Sequence, residues 1–228
     1  MDKRVKPIFL LSDSKLLFYK RDDDFLSRIK RLMHQESQLE EIKSAYIGAS
    51  NNDNPQFYEI FESAMQQIGV RNCRMIKSNP DTDDTIFLKS AGIILLAGGD
   101  IEKGWDIIKR NGWDKIIIEK YSQGAILIGV SAGAVQLGVK GYRADFEDEE
   151  KEIGFDTLQL VPFIIDVHAN DDWHNLSKQV KLEDGQLKGY GIPYGAGIIY
   201  YPDKSIEAVR FSCTEIVING ENVLKSII

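Results

Sequence analysis

The sequence feature that most constrains the fold is an apolar run ending in a turn of small residues. Residues 126–130 suit a buried strand, and the pattern Gly-x-Ser-x-Gly at residues 129–133 leads into a helical segment. On such a turn a serine hydroxyl stands clear of the sheet, and glycines leave room for the bent backbone. The pattern predicts a nucleophile elbow, with Ser131 as nucleophile and the Ala132 amide facing developing negative charge. The alternative is a tight turn whose serine only caps the helix.

A second glycine-rich turn follows the apolar residues 92–96, at Gly98, Gly99 and Asp100. Glycines at the carboxyl end of a buried strand let the backbone approach a ligand closely, and open α/β sheets bind ligands at this edge. We therefore expect Gly98, Gly99 and Asp100 to belong to an oxyanion or substrate-binding region. A plain glycine-rich turn explains the segment equally well when it is taken alone.

Strands alternate with helices over the first 138 residues. The apolar patterns predict five strands, at residues 7–11, 43–48, 72–76, 92–96 and 126–130. The helices predicted between them are at residues 25–41, 56–68 and 101–110, with a short helix that begins at residue 81 and another that follows residue 112 and ends at residue 120. We expect a strand pair within 154–168, and strands with tight turns in the final third. The alternation predicts an α/β three-layer sandwich with a mainly parallel central sheet, formed by one domain spanning residues 1–228.

Composition narrows the possible partners and compartment. The chain has 228 residues, a formal net charge of −7 and a pI near 5.1, which disfavours a nucleic-acid partner. The apolar run at 8–11 is too short for a signal peptide or a membrane span, so we expect a cytoplasmic protein without a membrane partner. Cys73 and Cys213 lack metal-ligand spacing, which indicates free thiols and no metal site.

A serine nucleophile needs a base and an acid, and the chain has three histidines. His168 follows a buried apolar run and is the natural general base, whereas His174 lies in the polar segment 170–175 and His34 on a predicted helix. Acidic residues cluster at 145–150, close in sequence to the elbow. Such a cluster is usually a solvated loop, but one of its carboxylates could orient the base.

Four ordered motifs together resemble the S51 serine peptidases, which comprise the aspartyl dipeptidases (peptidase E) and the cyanophycinases on a fold shared with class I glutamine amidotransferases. The motifs cover nearly the whole chain and are Gly129-Val130-Ser131-Ala132-Gly133-Ala134, Ala97-Gly98-Gly99-Asp100, Gly154-Phe155-Asp156 with Pro162 and His168, and Gly191-Ile192-Pro193. The resemblance implies a Ser-His-acid peptidase of short peptides. An amidotransferase function is disfavoured, because those proteins carry cysteine at the elbow.

The resemblance also implies roles for individual residues. Ser131 matches the nucleophile and His168 the base, and Asp145 matches the acid of the dipeptidases, with Glu147 and Asp166 as alternatives. Gly98, Gly99 and Ala132 match the oxyanion region. We expect no cofactor, a small peptide as substrate, and a monomer or homodimer.

Departures from the family pattern bear on the substrate. Asp100 stands where the family commonly has asparagine, Ala169 follows the histidine, residues 170–191 contain no arginine, and Tyr194 replaces a glutamate. An arginine is the expected partner of an aspartyl side chain. We therefore expect weak or absent cleavage after aspartate and a preference for neutral or basic first residues. The alternative is a catalytically silent relative that binds a small peptide or amino acid.

Overall fold

The computed structural model describes residues 5–18, 25–34, 39–145, 152–169 and 172–228. The helices within these ranges are α1 (Phe25–His34), α2 (Pro55–Gln67), α3 (Thr82–Ser90), α4 (Ile101–Arg110), α5 (Trp113–Ser122), α6 (Ala132–Leu137) and α7 (His174–Leu182). The strands are β1 (Ile8–Leu11), β2 (Lys43–Ile47), β3 (Asn72–Ile76), β4 (Ile93–Leu96), β5 (Ile126–Val130), β6 (Lys140–Ala144), β7 (Glu152–Asp156), β8 (Phe163–Val167), β9 (Lys188–Ile192), β10 (Gly197–Tyr200), β11 (Ile206–Val209), β12 (Thr214–Asn219) and β13 (Asn222–Ile227).

The central sheet is mainly parallel, as predicted. Its strand order is β11-β10-β1-β5-β4-β2-β3, and β10 runs antiparallel to both of its neighbours. The parallel register pairs Leu11 with Val130 and Leu96 with both Gly129 and Ile47. The carboxyl ends of β1, β5, β4 and β2 therefore meet at one edge of the sheet.

Helices cover both faces of this sheet, which confirms the predicted three layers. One face packs against α1 and α2 through a core cluster that includes Phe9, Phe25 and Phe61. The other face packs against α3 to α6, with Trp105 and Trp113 among the buried side chains. Strands β1, β4 and β5 are buried along their whole length, which explains their continuous apolar sequences.

Two strands form in the region predicted as a strand pair within 154–168, but the prediction that they pair with each other is wrong. Strand β7 pairs with β6 in an antiparallel hairpin, whereas β8 joins a second sheet of order β13-β12-β9-β8. The segment between them turns back under the elbow helix, where the Thr157 amide donates to the Val139 carbonyl at 3.1 Å. Two strands close in sequence therefore belong to different sheets.

Helix α7 was not predicted, and its packing explains the omission. Its sequence is mostly polar, and only Leu176 and Val180, four positions apart, point into a small core with Trp173. The predicted helix 25–41 is shorter than expected, since α1 ends at His34 and a single 3₁₀ turn covers Leu39–Glu41, with residues 35–38 outside the described ranges. Each described helix is too short or too polar to cross a bilayer.

The elbow helix α6 packs against the end of β4 so closely that Gly133 cannot carry a side chain. A Cβ atom at Gly133 would lie 2.0 Å from the Leu96 carbonyl oxygen, and one at Gly129 would lie 2.5 Å from the Gly133 carbonyl oxygen. Both obstacles are backbone atoms, which cannot rotate away. The sheet and α6 therefore meet only if these positions stay glycine.

We predict that Gly133→Ala lowers the free energy of unfolding by about 3 kcal/mol, because the new methyl group must push α6 away from β4. Gly112→Ala is the matched control: Gly112 has a φ of +67°, but nothing lies within 4 Å of the position that a Cβ atom would take there. The control should lose about 1 kcal/mol. Urea unfolding of both variants measures the difference, and equal midpoints would contradict the close contact.

Candidate active site

A cavity of about 240 Å³ opens where the central strands end. Its polar lining comes from residues that follow β1, β2, β5 and β8, namely Ser12, Asp13, Ser14, Asn51, Ser131 and His168. Gly98 and Gly99 line it from the end of β4, and Tyr46 adds a phenol oxygen that accepts a hydrogen bond from the Asn51 Nδ2 at 2.9 Å. The other lining side chains are apolar. Elements distant in sequence thus converge at the edge where parallel α/β sheets bind ligands.

Ser131 occupies a backbone conformation that a side chain rarely adopts. It has φ 51° and ψ −113°, between the last residue of β5 and the first of α6. Its amide donates to the Leu11 carbonyl at 2.8 Å, which ties the turn to the neighbouring strand β1. Such conformations persist only where the surroundings enforce them, and they concentrate at functional sites. The half-buried serine lines the cavity.

The glycines after β4 lie directly beside this serine. A Cβ atom on Gly98 would be 3.1 Å from the Ser131 Cβ and 3.8 Å from its Oγ. Gly99 has a φ of +138°, and a Cβ there would lie 2.0 Å from the Ser50 carbonyl oxygen. Ala132 is buried and begins α6, so its amide has no acceptor within that helix. These are the positions at which we expect oxyanion donors.

Asp100 lies in the same turn but is used differently. Its carboxylate caps α4 by accepting a hydrogen bond from the Lys103 amide at 2.9 Å, and the side chain is exposed. Asp100 is not among the residues that line the cavity. The negative charge of Asp100 therefore faces the N-terminus of α4, where it is stabilised.

His168 reaches the cavity from the second sheet. It directly follows β8 with a φ of 70°, and its amide donates to the Ile192 carbonyl at 3.1 Å. The imidazole Nε2 hydrogen-bonds the Ser12 backbone carbonyl. The ring also stacks on Tyr194, with centroids 4.3 Å apart and planes 6° from parallel. A carbonyl and an aromatic ring therefore fix the orientation of this imidazole.

The Ser12 contact assigns the tautomer of a neutral His168. A carbonyl oxygen only accepts hydrogen bonds, so Nε2 carries the proton in this arrangement. Nδ1 is then the nitrogen with a free lone pair. A neutral imidazole held in this way can accept a proton at Nδ1.

Two of the carboxylates expected to orient His168, Asp145 and Asp166, are within the described residues and lie outside the cavity lining. Asp145 directly follows β6, and Asp166 lies in β8 with its Oδ1 accepting from the Val167 amide at 2.8 Å. Neither lines the cavity, and Glu147 falls outside the described residues. The role of Asp145 stays a prediction.

Asp13 is a cavity residue that sequence reasoning did not single out. Its Oδ2 accepts from the Gly195 amide at 2.6 Å and its Oδ1 from the Lys15 amide at 2.7 Å. The first contact holds the turn that carries Tyr194 against the end of β1. A carboxylate immediately after a buried central strand was the available signal, since β1 ends at the same edge as the elbow strand.

The other histidines and the cysteines lie apart from this cavity. His174 begins α7, and the side chain of His34 is outside the described part of the chain. Both cysteines are free thiols, as predicted. Burial raises the pKa of Cys73 to about 11 and that of Cys213 to about 12, so neither forms a thiolate readily.

Known proteins share this arrangement of elements. A peptidase from an acI-B1 Actinobacterium matches 97% of this chain and 94% of its own, at 15% identity and a TM-score of 0.66. A candidate peptidase E protein from Listeria monocytogenes EGD-e matches 98% of this chain and 99% of its own, at 21% identity and a TM-score of 0.60. At these identities the likeness establishes the fold.

Sequence comparison assigns the family. The uncharacterized peptidase YgaJ of Bacillus subtilis (strain 168) is 23% identical over 118 residues, a match that covers 51% of this chain and 51% of that protein. The match thus spans about half the length of this relative. The model of peptidase family S51 matches residues 8–207, which is most of the chain. The chain therefore belongs to peptidase family S51.

Proposed function

We propose that this protein is a serine hydrolase that cleaves short peptides or related amide bonds, with Ser131 as nucleophile and His168 as base. Membership of family S51 supports a peptidase-like hydrolase. The observation that carries the finer proposal is that Ser131, on a strained elbow, and His168, at the end of another strand, line one cavity. A nucleophile and a base from different strands need such a shared space.

The proposed reaction has two steps. The Ser131 Oγ attacks the peptide carbonyl carbon while His168 accepts the hydroxyl proton, and the resulting oxyanion faces the amides of the Gly98, Gly99 and Ala132 region. His168 then gives the proton to the leaving amine as the carbon–nitrogen bond breaks. A water molecule then gives a proton to the same imidazole and attacks the acyl carbon. The bond between that carbon and the Ser131 Oγ breaks, the imidazole returns the proton to Oγ, and the carboxylic acid product leaves. The residues named here suffice for each proton transfer.

We predict that Ser131→Ala lowers kcat for dipeptide hydrolysis by about 10⁴- to 10⁶-fold, because no other group on the elbow can form the acyl intermediate. Ser122→Ala is the matched control: Ser122 is exposed on α5 and its Oγ donates to the Glu119 carbonyl. Steady-state kinetics measures the loss. If a fluorophosphonate labels wild type no better than Ser131→Ala, the protein is instead a silent relative that binds a small peptide or amino acid.

Asp145 is our proposed acid, on the basis of its position after the elbow helix and the family resemblance. For this role the imidazole must exchange the Ser12 carbonyl for the Asp145 carboxylate. We predict that Asp145→Asn lowers kcat by about 10⁴-fold, as loss of a triad acid does. Asp106→Asn, at an exposed residue of α4 that does not line the cavity, is the control and should stay near wild type. A kcat of Asp145→Asn within about threefold of wild type would exclude Asp145 as the acid and leave Glu147 and Asp166 as the alternatives.

Tyr194 is proposed to position His168 through ring stacking. Tyr194→Phe keeps the stack and should retain activity, whereas Tyr194→Ala frees the imidazole and should lower kcat by about 3- to 10-fold with little change in KM. The estimate follows from the stabilisation of about 0.5–1.5 kcal/mol that aromatic pairs provide. Equal kcat values for the two variants would show that the stack has no positioning role.

A further inference from the structure

Apart from the Tyr46 hydroxyl, which is hydrogen-bonded to Asn51, the inner wall of the cavity is apolar and continuous with the protein core. Leu95 and Ala97 come from the end of β4, Val130 from the end of β5 and Phe61 from α2. All four are buried and belong to the core cluster that packs against α1 and α2. The cavity is thus a slot between the sheet and α2, and it offers a ligand side chain hydrocarbon contacts.

An aromatic side chain stands at the mouth of this slot. Phe57, in the first turn of α2, lines the cavity and is 47% exposed. Half-buried Ile60 lies one turn further along the same helix. An apolar ligand would remove exposed surface of Phe57 from water, which favours binding.

The charged side chains that line the slot disfavour an acidic ligand side chain. The Lys15 ammonium lies outside this lining, 5.9 Å from the centroid of the Tyr194 ring. The described lining residues include the carboxylate of Asp13 but no lysine or arginine. A desolvated carboxylate of a ligand would therefore meet a like charge and no cation among them. The Asp13 carboxylate accepts hydrogen bonds from the Lys15 and Gly195 amides and the Ser12 hydroxyl, and its remaining lone pairs and negative charge can attract a free amino group.

The slot begins at the reacting atoms. Val130 directly precedes Ser131, and Ala97 directly precedes Gly98, so the apolar wall starts next to the nucleophile and the expected oxyanion donors. In a peptide substrate, the side chain nearest to the attacked carbonyl group belongs to the residue that contributes this carbonyl group. The volume of about 240 Å³ is below the roughly 300–1,000 Å³ of common ligand sites and suits one residue.

We propose that the slot binds a large apolar side chain of the residue whose carbonyl Ser131 attacks, and that Asp13 attracts the free amino group of that residue. The substrates are then short peptides with an aromatic or branched aliphatic first residue. This inference rests on the proposed function and narrows the expected neutral or basic preference to apolar side chains.

A dipeptide panel that varies only the first residue tests the preference. We expect kcat/KM for Phe-Ala and Leu-Ala to exceed that for Ala-Ala by about 10- to 100-fold, and that for Asp-Ala to be the lowest. Ala-Phe, with the large side chain on the leaving residue, should behave like Ala-Ala. The proposal is overturned if Asp-Ala or Lys-Ala is best, or if Ala-Phe gains as much as Phe-Ala.

A charge introduced at the mouth of the slot gives a second test. Phe57→Arg should lower kcat/KM for Phe-Ala by about tenfold and raise that for Asp-Ala, because the guanidinium can pair with the substrate carboxylate. The matched control is Ile86→Arg, at a residue on α3 that is 58% exposed and does not line the cavity. Equal effects of the two substitutions on the Phe-Ala to Asp-Ala ratio would overturn the assignment.

Binding to Ser131→Ala separates this inference from the proposed function. Calorimetric titration with Phe-Ala should give a Kd about tenfold or more below that for Asp-Ala, even if neither peptide is cleaved by wild type. If wild type cleaves neither peptide but Phe-Ala still binds more tightly, the proposed hydrolase activity is refuted and the apolar binding slot is supported. If wild type cleaves all the dipeptides and their Kd values are equal, the apolar binding slot is refuted and the proposed hydrolase activity is supported.

Discussion

The structure depends on the close contact between the elbow helix α6 and the end of β4. Gly133 lies against the Leu96 carbonyl, and Gly98, two residues after Leu96, lies against Ser131. With the Ser131 amide bound to Leu11, three neighbouring strands together fix one turn. The positive φ of Ser131 is held by these contacts, because a serine would otherwise leave this conformation. The glycines thus position the hydroxyl by letting backbone approach backbone.

The second sheet supplies the other half of the site through a separate set of contacts. Strand β8 delivers His168, and the turn after β9 delivers Tyr194, which stacks on the imidazole. Asp13 binds the Gly195 amide and so attaches this turn to the end of β1. The relative position of Ser131 and His168 therefore depends on how the turn after β9 docks on the central sheet. Besides the Asp13 carboxylate and the Tyr194 ring, that docking includes the Ser12 amide and hydroxyl, which both donate to the Ala196 carbonyl at 3.0 Å.

Sequence reasoning identified the parts of the molecule that are specified locally. Continuous apolar runs identified the buried parallel strands, and the glycine spacing around Ser131 identified the elbow. The contacts around His168 could not be predicted from the sequence. The hydrogen bond with Ser12 joins residues 156 positions apart, and the hydrogen bond between Asp13 and Gly195 joins residues 182 positions apart. Helix α7 was missed because its buried face consists of so few apolar residues. The pairing of β7 with β6 likewise depends on packing under α6.

The most direct test of the account is the crystal structure of the wild-type protein after reaction with a small alkyl fluorophosphonate. The account predicts phosphorus bonded to the Ser131 Oγ, a phosphonyl oxygen within about 3 Å of the amides of the Gly98, Gly99 and Ala132 region, and a His168 nitrogen within hydrogen-bond reach of the adduct. An adduct on another residue, or one on Ser131 whose oxygen faces away from these amides and from His168, would contradict the account.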